Sequence, residues 1–160
     1  MTISQSATTV VELLRAKNQS IAVAESLTGG GVGVALTAVP GASDVFLGGV
    51  IAYSPALKES LLKVEKETIA AFGVVSEEVA VAMADGVREL LGSTWGISTT
   101  GVAGPGDSDG VVAGTVWIAI SGPINQSTQL KVEGEREVVR NASVSSAISA
   151  FERILGTLKQ

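Results

Sequence analysis

Apolar residues recur along the chain with a period of about 3.6 residues in some segments, which predicts helices, and in short continuous or alternating runs in others, which predicts strands. The segments predicted to be strands are SIAVAES (20–26), VFLGGVIAYS (45–54), TWGISTTG (94–101), TVWIAIS (115–121) and STQLKVEG (127–134). The segments predicted to be helices, after a first helix that begins at Thr9, are GGGVGVALTAV (29–39), PALKESLLK (55–63), KETIAAFG (66–73), SEEVAVAMADGVRELLG (76–92) and REVVRNASVSSAISAFERILGTLK (136–159).

Capping residues support these helix boundaries. Thr9 to Glu12 match a capping box, Ser54 followed by Pro55 is an N-cap and N1 pair, and Ser76 precedes two glutamates that suit a helix N-terminus. The predicted core faces consist of Val10, Leu13 and Leu14 in the first helix, Val79, Met83, Val87, Leu90 and Leu91 in the fifth, and Val144, Ile148, Phe151, Leu155 and Leu158 in the last.

Helices that alternate with apolar strands predict an α/β fold, a three-layer α/β/α sandwich with a mixed sheet. We expect a single domain over residues 1–160, with its core at about 8–158. The last two strands, separated by Gly122-Pro123, are expected to form an antiparallel hairpin. Gly48-Gly49 indicates a bulge or a close backbone approach in the second strand.

Composition narrows the possible chemistry. The 160 residues are 46% hydrophobic, contain no histidine or cysteine, and carry a formal net charge of −5. An acidic chain argues against nucleic-acid binding, and the absence of thiols excludes disulfides and thiolate metal sites. The uncharged stretch from Ser26 to Ser43 contains glycines and a proline, so we expect no membrane span. With no evident secretory signal in MTISQSATT, we expect a cytoplasmic protein.

The first candidate segment is ESLTGG (25–30), where a predicted strand meets a predicted helix. Ser26 could be a nucleophile, with N–H groups around Thr28, Gly29 and Gly30 holding an oxyanion. Alternatively, Ser26 or Thr28 could merely cap the helix and have no catalytic role. The residue pattern leaves both interpretations open.

A lysine could replace the missing histidine as a base. Lys58 lies in AYSPALK, near the start of a predicted helix, where the helix dipole and burial would lower its pKa, and Tyr53 ends the strand before it. Such a lysine could act as the general base for a serine. A solvated surface lysine is the alternative.

Two further segments could bind a ligand. TTGVAGPG (99–106) is a glycine-rich loop after a strand, with Asp107 and Asp109 behind it; the loop could cradle a phosphate and the aspartates could bind a cation, or both could be plain turns. Arg136 and Arg140 lie four residues apart on one helix face and could clamp a phosphate or form surface ion pairs.

In combination, these segments resemble the CinA C-terminal domain family, the nicotinamide-nucleotide amidohydrolases. Six segments occur in the family's order and roughly its spacing: AESLTGG, VPGASDVFLGGVIAYSPALK, GVVSEEV, TTGVAGPG, GTVWIAI and GEREVVR. Leu27, Pro55 and the loop GDSDGVVA (106–113) depart from residues common in the family.

The resemblance implies that the chain cleaves the carboxamide of nicotinamide mononucleotide, which gives nicotinate mononucleotide and ammonia. It implies Ser26 as the nucleophile and Lys58 as the general base, with no metal or other cofactor. Tyr53 is expected as a third catalytic residue that positions Lys58 or donates to the intermediate. Further site positions implied by the match are Ser43, Thr100, Gly101, Arg136 and Arg140. Exposed apolar strand ends and the family's habits suggest a homodimer. The alternative function is a nucleotide-binding or regulatory domain that retains the pocket without the activity.

Overall fold

A five-stranded mixed sheet organises the molecule, for which a computed structural model describes residues 1–158. In chain order its elements are α1 (Ile3–Ala16), β1 (Ile21–Glu25), α2 (Gly31–Thr37), a short 3-10 helix (Ala42–Asp44), β2 (Phe46–Ile51), α3 (Pro55–Leu62), α4 (Lys66–Phe72), α5 (Glu77–Leu91), β3 (Trp95–Gly101), β4 (Thr115–Ser121), β5 (Gln126–Lys131) and α6 (Arg136–Thr157).

The strands lie in the order β2-β1-β3-β4-β5. The first three are mutually parallel, while β4 pairs antiparallel with β3 and β5 pairs antiparallel with β4. Helices α1, α2 and α6 pack together on one face of the sheet, and α3, α4 and α5 pack on the other. The prediction of a three-layer α/β/α sandwich with a mixed sheet and a C-terminal hairpin is confirmed.

Side chains of β1 alternate between the two helical layers, as the period of two in a strand requires. Ile21 and Val23 belong to the large core cluster beneath α1 and α6, whereas Ala22 and Ala24 pack against α3 and α5. All five residues of β1 are buried because it is a central strand covered on both faces.

The edge strand β2 contains the irregularity predicted from its two glycines. The pairing register with β1 shifts by one residue, so that Ile21 pairs with Phe46 and Ala22 with Gly48. A Cβ on Gly49 would lie 2.5 Å from a methyl group of Val23, so the strands approach too closely there for any side chain.

The capping box predicted at Thr9 is wrong. Helix α1 begins at Ile3, and Thr2 with Gln5 forms its capping box. Thr9 lies inside the helix, where its hydroxyl donates to the Gln5 carbonyl at 3.1 Å. A threonine can bond to the preceding helical turn as readily as it can cap the next one, and this ambiguity explains the error.

Leu90 departs from its predicted core position, whereas Leu158 reaches the core from just beyond its helix. Leu90 is half exposed on α5, although Val79, Met83 and Val87 of that helix are fully buried. Leu158 follows the end of α6 and packs against the core from outside the helix. The predicted end of this helix at Lys159 lies outside the described residues.

Helix α5 packs unusually closely against α3. A Cβ on Gly86 would lie 1.9 Å from the Leu62 carbonyl oxygen at the end of α3. On the sheet side, a Cβ on Gly96 of β3 would lie 2.2 Å from the Ala84 carbonyl. These two glycines set the spacing between the sheet, α5 and α3, and α3 carries Lys58.

Gly86→Ala is therefore expected to lower the free energy of unfolding by about 1–3 kcal/mol, because α3 must move away from α5. Gly156→Ala is the matched control, since Gly156 is also helical but has no atom within 4 Å of the added Cβ. This control should be neutral or stabilising by up to about 1 kcal/mol. Urea denaturation of both variants measures the difference, and equal stabilities would contradict the close contact.

Candidate functional site

The carboxyl ends of the parallel strands β1, β2 and β3 meet at one edge of the sheet, where open α/β sheets bind ligands. A cavity of about 580 Å³ lies there, within the size range of small-molecule sites. Its lining residues include Ser26, Leu27, Tyr53, Pro55, Lys58, Phe72, Val74, Thr100, Gly101, Gly104, Asp107, Asp109 and Arg136.

Lys58 is buried beside the cavity at the start of α3. Ser54 caps this helix by accepting from the Leu57 N–H, and Pro55 occupies its first position, so Lys58 lies one turn inside it. The side chain is only 2% exposed, and its Nζ donates to the Ala52 carbonyl at 2.7 Å. Burial lowers the pKa of Lys58 from 10.5 to about 8. This excludes the surface-lysine interpretation.

The Lys58 amine lies 3.2 Å from Ser26 Oγ. In the neutral amine, one N–H donates to Ala52 while the lone pair is available to accept the Ser26 hydroxyl proton. A pKa near 8 leaves most of the amine protonated at pH 7 but makes about a tenth of it neutral, which suits general-base work. The geometry thus forms a serine–lysine pair that can activate a hydroxyl without histidine.

Ser26 does not cap α2. The N-cap of α2 is Gly30, which has no side chain, and the N–H groups of Val32 and Gly33 donate instead to the Glu25 carboxylate at 2.8 and 3.0 Å. Glu25 is 2% exposed and was not identified from the sequence. An acidic residue at the end of an otherwise apolar strand, a few residues before a helix, was the available signal.

The three loop residues predicted to hold an oxyanion are not among the cavity-lining residues. The Gly29 N–H donates to the Ser26 carbonyl at 3.0 Å, and the Thr28 hydroxyl donates to Glu25 at 2.7 Å. Gly29 and Gly30 have φ angles of 58° and 102°, which glycine adopts without strain. In this structure these residues shape the loop behind Ser26.

Tyr53 and Arg136 meet at the mouth of the cavity. The Arg136 guanidinium donates to the Tyr53 hydroxyl at 2.9 Å and to the Gly104 carbonyl at 2.8 Å. All three residues line the cavity. Arg136 therefore joins the end of β2 to the glycine-rich loop after β3.

Arg140 and Ser43 are not brought to the cavity. Arg140 donates to the Leu27 carbonyl at 3.0 Å and to the Thr28 carbonyl at 3.3 Å, so its guanidinium fastens the loop after β1. Ser43 is exposed in the 3-10 helix directly before β2, at the amino ends of the parallel strands and away from the cavity at their carboxyl ends. The two arginines share a helix face, but Arg136 bonds to groups at the cavity and Arg140 bonds to the loop after β1.

The glycine-rich loop lines the cavity, but some of its polar groups form hydrogen bonds to other parts of the protein. The Thr100 hydroxyl donates to the Val74 carbonyl at 2.7 Å. A Cβ on Gly101 would lie 2.8 Å from the Thr115 carbonyl, so this glycine permits close strand packing. Asp107 accepts the Ala113 N–H at 2.9 Å, as a turn aspartate does.

Residues 1–158 contain neither a candidate metal cluster nor a membrane-spanning helix. In that part of the chain no cluster of three or more acidic side chains has a metal-binding arrangement. No helix there is long and apolar enough to cross a bilayer.

The fold and the cavity define an α/β protein with a buried serine–lysine pair at the carboxyl edge of its parallel strands. The pattern of the CinA C-terminal domain family matches residues 3–155, and the chain belongs to this family.

Curated relatives include CinA-like proteins and a putative competence-damage inducible protein. A CinA-like protein of Synechococcus sp. (strain RCC307) is 50% identical over 147 residues, which are 89% of this chain and 35% of that protein. A putative competence-damage inducible protein of Desulforamulus reducens is 44% identical over 137 residues, 85% of this chain and 33% of that protein. The chain thus spans about a third of the length of these relatives.

Solved structures have the same fold. The competence damage-inducible protein A of Klebsiella pneumoniae subsp. pneumoniae MGH 78578 superposes with a TM-score of 0.95 at 30% identity, covering 99% of this chain and 100% of that one. The competence/damage inducible protein CihA of Agrobacterium tumefaciens superposes with a TM-score of 0.92 at 28% identity, covering 97% and 96%.

The lowered pKa of Lys58 has a consequence for stability. Between the folded pKa of about 8 and the unfolded value of 10.5, the unfolded chain binds more protons than the folded one. The burial penalty is therefore full below pH 8 and is relieved as the pH rises to 10.5. In this window the free energy of unfolding of the wild type should rise relative to Lys58→Met, by up to about 1.4 kcal/mol per pH unit.

Urea denaturation of both proteins across that window measures the difference. Lys66→Met, which removes an exposed lysine at the start of α4 but retains Lys58, is the control, and its difference in stability from the wild type should not change across this window. Parallel pH profiles for wild type and Lys58→Met would show that the Lys58 pKa is not lowered.

Proposed function

We propose that this chain hydrolyses the carboxamide of nicotinamide mononucleotide to nicotinate mononucleotide and ammonia. The observation that carries the proposal is the buried Lys58 amine 3.2 Å from Ser26 Oγ, beside a cavity of nucleotide-compatible size. The choice of substrate rests on the resemblance of the motifs to those of nicotinamide-nucleotide amidohydrolases. A chain without histidine or cysteine also needs another base for amide cleavage, and a lysine of lowered pKa supplies one.

The reaction proceeds in two halves. Neutral Lys58 takes the Ser26 proton as Oγ attacks the carboxamide carbon, and the resulting Lys58 ammonium protonates the amide nitrogen, which leaves as ammonia when the C–N bond breaks. Water then attacks the acyl-enzyme, with Lys58 again as the base, and the Ser26 hydroxyl is restored. As the pH falls below about 8, the neutral fraction of Lys58 declines.

The developing oxyanion needs N–H donors at the cavity. Leu27 follows the nucleophile and lines the cavity, and its N–H makes no hydrogen bond to a protein acceptor within residues 1–158. The N–H of the residue after a nucleophilic serine is a common oxyanion donor. We therefore assign this role to the Leu27 N–H in place of the Gly29 N–H, which is already bonded to the Ser26 carbonyl.

A deamidation assay tests the proposal. The wild type should release ammonia and nicotinate mononucleotide, and Ser26→Ala should lose several orders of magnitude in rate while remaining folded. Ser60→Ala on the exposed surface of α3 is the matched control and should retain full activity. Binding of nicotinamide mononucleotide in a thermal-shift assay without turnover would favour the nucleotide-binding or regulatory alternative instead.

Arg136 is the candidate that would hold the substrate phosphate, because its guanidinium lines the cavity while that of Arg140 bonds to the loop behind Ser26. A charge-assisted bond to phosphate contributes about 1.5–3 kcal/mol. Arg136→Ala should therefore raise KM for nicotinamide mononucleotide by about tenfold or more. For nicotinamide riboside, which has no phosphate, the effect should be much smaller.

Arg153→Ala removes an exposed arginine from the same helix and is the control. Steady-state kinetics of both variants with both substrates decide the matter. An Arg136 variant that affected the two substrates equally would place the phosphate elsewhere, with the glycine-rich loop as the next candidate.

A further inference from the structure

Glu25 is a buried acid that the reaction above does not use. It is the last residue of β1, and its register partner in the neighbouring strand is Thr99. Strand alternation directs Glu25 toward α2 while Ser26, the next residue, contacts Lys58 of α3 in the opposite layer. A chain of hydrogen bonds nevertheless connects the Glu25 carboxylate to the Ser26 backbone.

The directions of these bonds are fixed by which groups can donate. The two Glu25 oxygens accept the backbone N–H groups of Val32 and Gly33. Thr28 donates its single hydroxyl hydrogen to Glu25 at 2.7 Å. Thr99 must then donate to the Thr28 oxygen, also at 2.7 Å, which leaves the Thr99 oxygen free to accept the Ser26 N–H at 3.4 Å.

We propose that Glu25, Thr28 and Thr99 form a positioning relay that fixes the orientation of the Ser26 peptide groups, so that the hydroxyl faces Lys58 and the Leu27 N–H faces the cavity. The Ser26 N–H is bound by the Thr99 carbonyl at 3.1 Å as well as by its hydroxyl, and the Ser26 carbonyl is bound by the Gly29 N–H. Because two glycines at positive φ follow Ser26, the loop needs such fastening to hold one geometry.

The relay residues do not line the cavity, so they act through Ser26 and not on the substrate. This separates their effects from those of binding residues. Loss of the relay should lower kcat and leave KM unchanged. The acid limb of the rate profile should also stay in place, because the burial of Lys58 and its bond to Ala52 do not involve the relay.

Thr99→Val and Thr99→Ser form the test pair, since valine keeps the shape and loses the hydroxyl while serine keeps the hydroxyl. We expect Thr99→Val to lower kcat by between about tenfold and a hundredfold, with KM within about twofold of the wild type. Thr99→Ser should restore most of the rate. Glu25→Gln should also lower kcat, because its amide nitrogen must face a backbone N–H in either orientation, that of Gly33 or that of Val32.

The inference rests on the proposed function for its substrate, so a second readout is independent of nicotinamide mononucleotide. A fluorophosphonate forms a bond between phosphorus and Ser26 Oγ, releases fluoride, and leaves the Oγ proton on Lys58. The rate of labelling reports the nucleophilicity of Ser26, and its final extent counts the correctly folded sites. Ser26→Ala identifies the labelled position.

Slower labelling of Thr99→Val than of Thr99→Ser, at equal final extent, would support the relay even if nicotinamide mononucleotide were not turned over. Equal labelling rates for the wild type and Thr99→Val would overturn the relay while leaving the proposed function standing. A loss confined to the final extent would also overturn it, because that loss reports folding alone. A wild type that is never labelled at Ser26 would overturn both proposals.

Discussion

The hydrogen bond from the Lys58 amine to the Ala52 carbonyl, 2.7 Å long, joins the helix that supplies the amine to the sheet that supplies the serine. Ala52 is itself held by the sheet, since its N–H donates to the Glu25 carbonyl at 2.8 Å. The amine thus takes its position from the parallel pairing of β1 with β2. Burial in the same place removes water from the amine and lowers its pKa, so position and basicity have one physical origin.

Strand alternation at the end of β1 lets two adjacent residues serve different layers. Glu25 satisfies the free N–H groups at the start of α2, while Ser26 faces α3 and the cavity. The helix on one side is therefore stabilised without using the hydroxyl needed on the other. This separation leaves the Ser26 hydroxyl available to Lys58.

Local signals in the sequence predicted most of the fold and part of the site. Ser54-Pro55 and Ser76 were identified correctly as helix starts because an N-cap depends on only a few neighbouring residues. The capping box at Thr9 was wrong because Thr2 and Gln5 satisfy the same pattern about two turns earlier.

The sequence could not distinguish Arg136 from Arg140. The two share a helix face, and what each guanidinium meets depends on loops far away in the chain. The same reason kept Glu25 and Thr99 out of the predicted site, since their roles arise from pairing between β1 and β3.

The bridge of Arg136 to Tyr53 and Gly104 also spans segments distant in sequence, and it has a thermodynamic consequence. An anionic ligand must compete with a phenol and a carbonyl for this guanidinium. The apparent association constant of the ligand is therefore its intrinsic association constant multiplied by the fraction of molecules in which the arginine is already free.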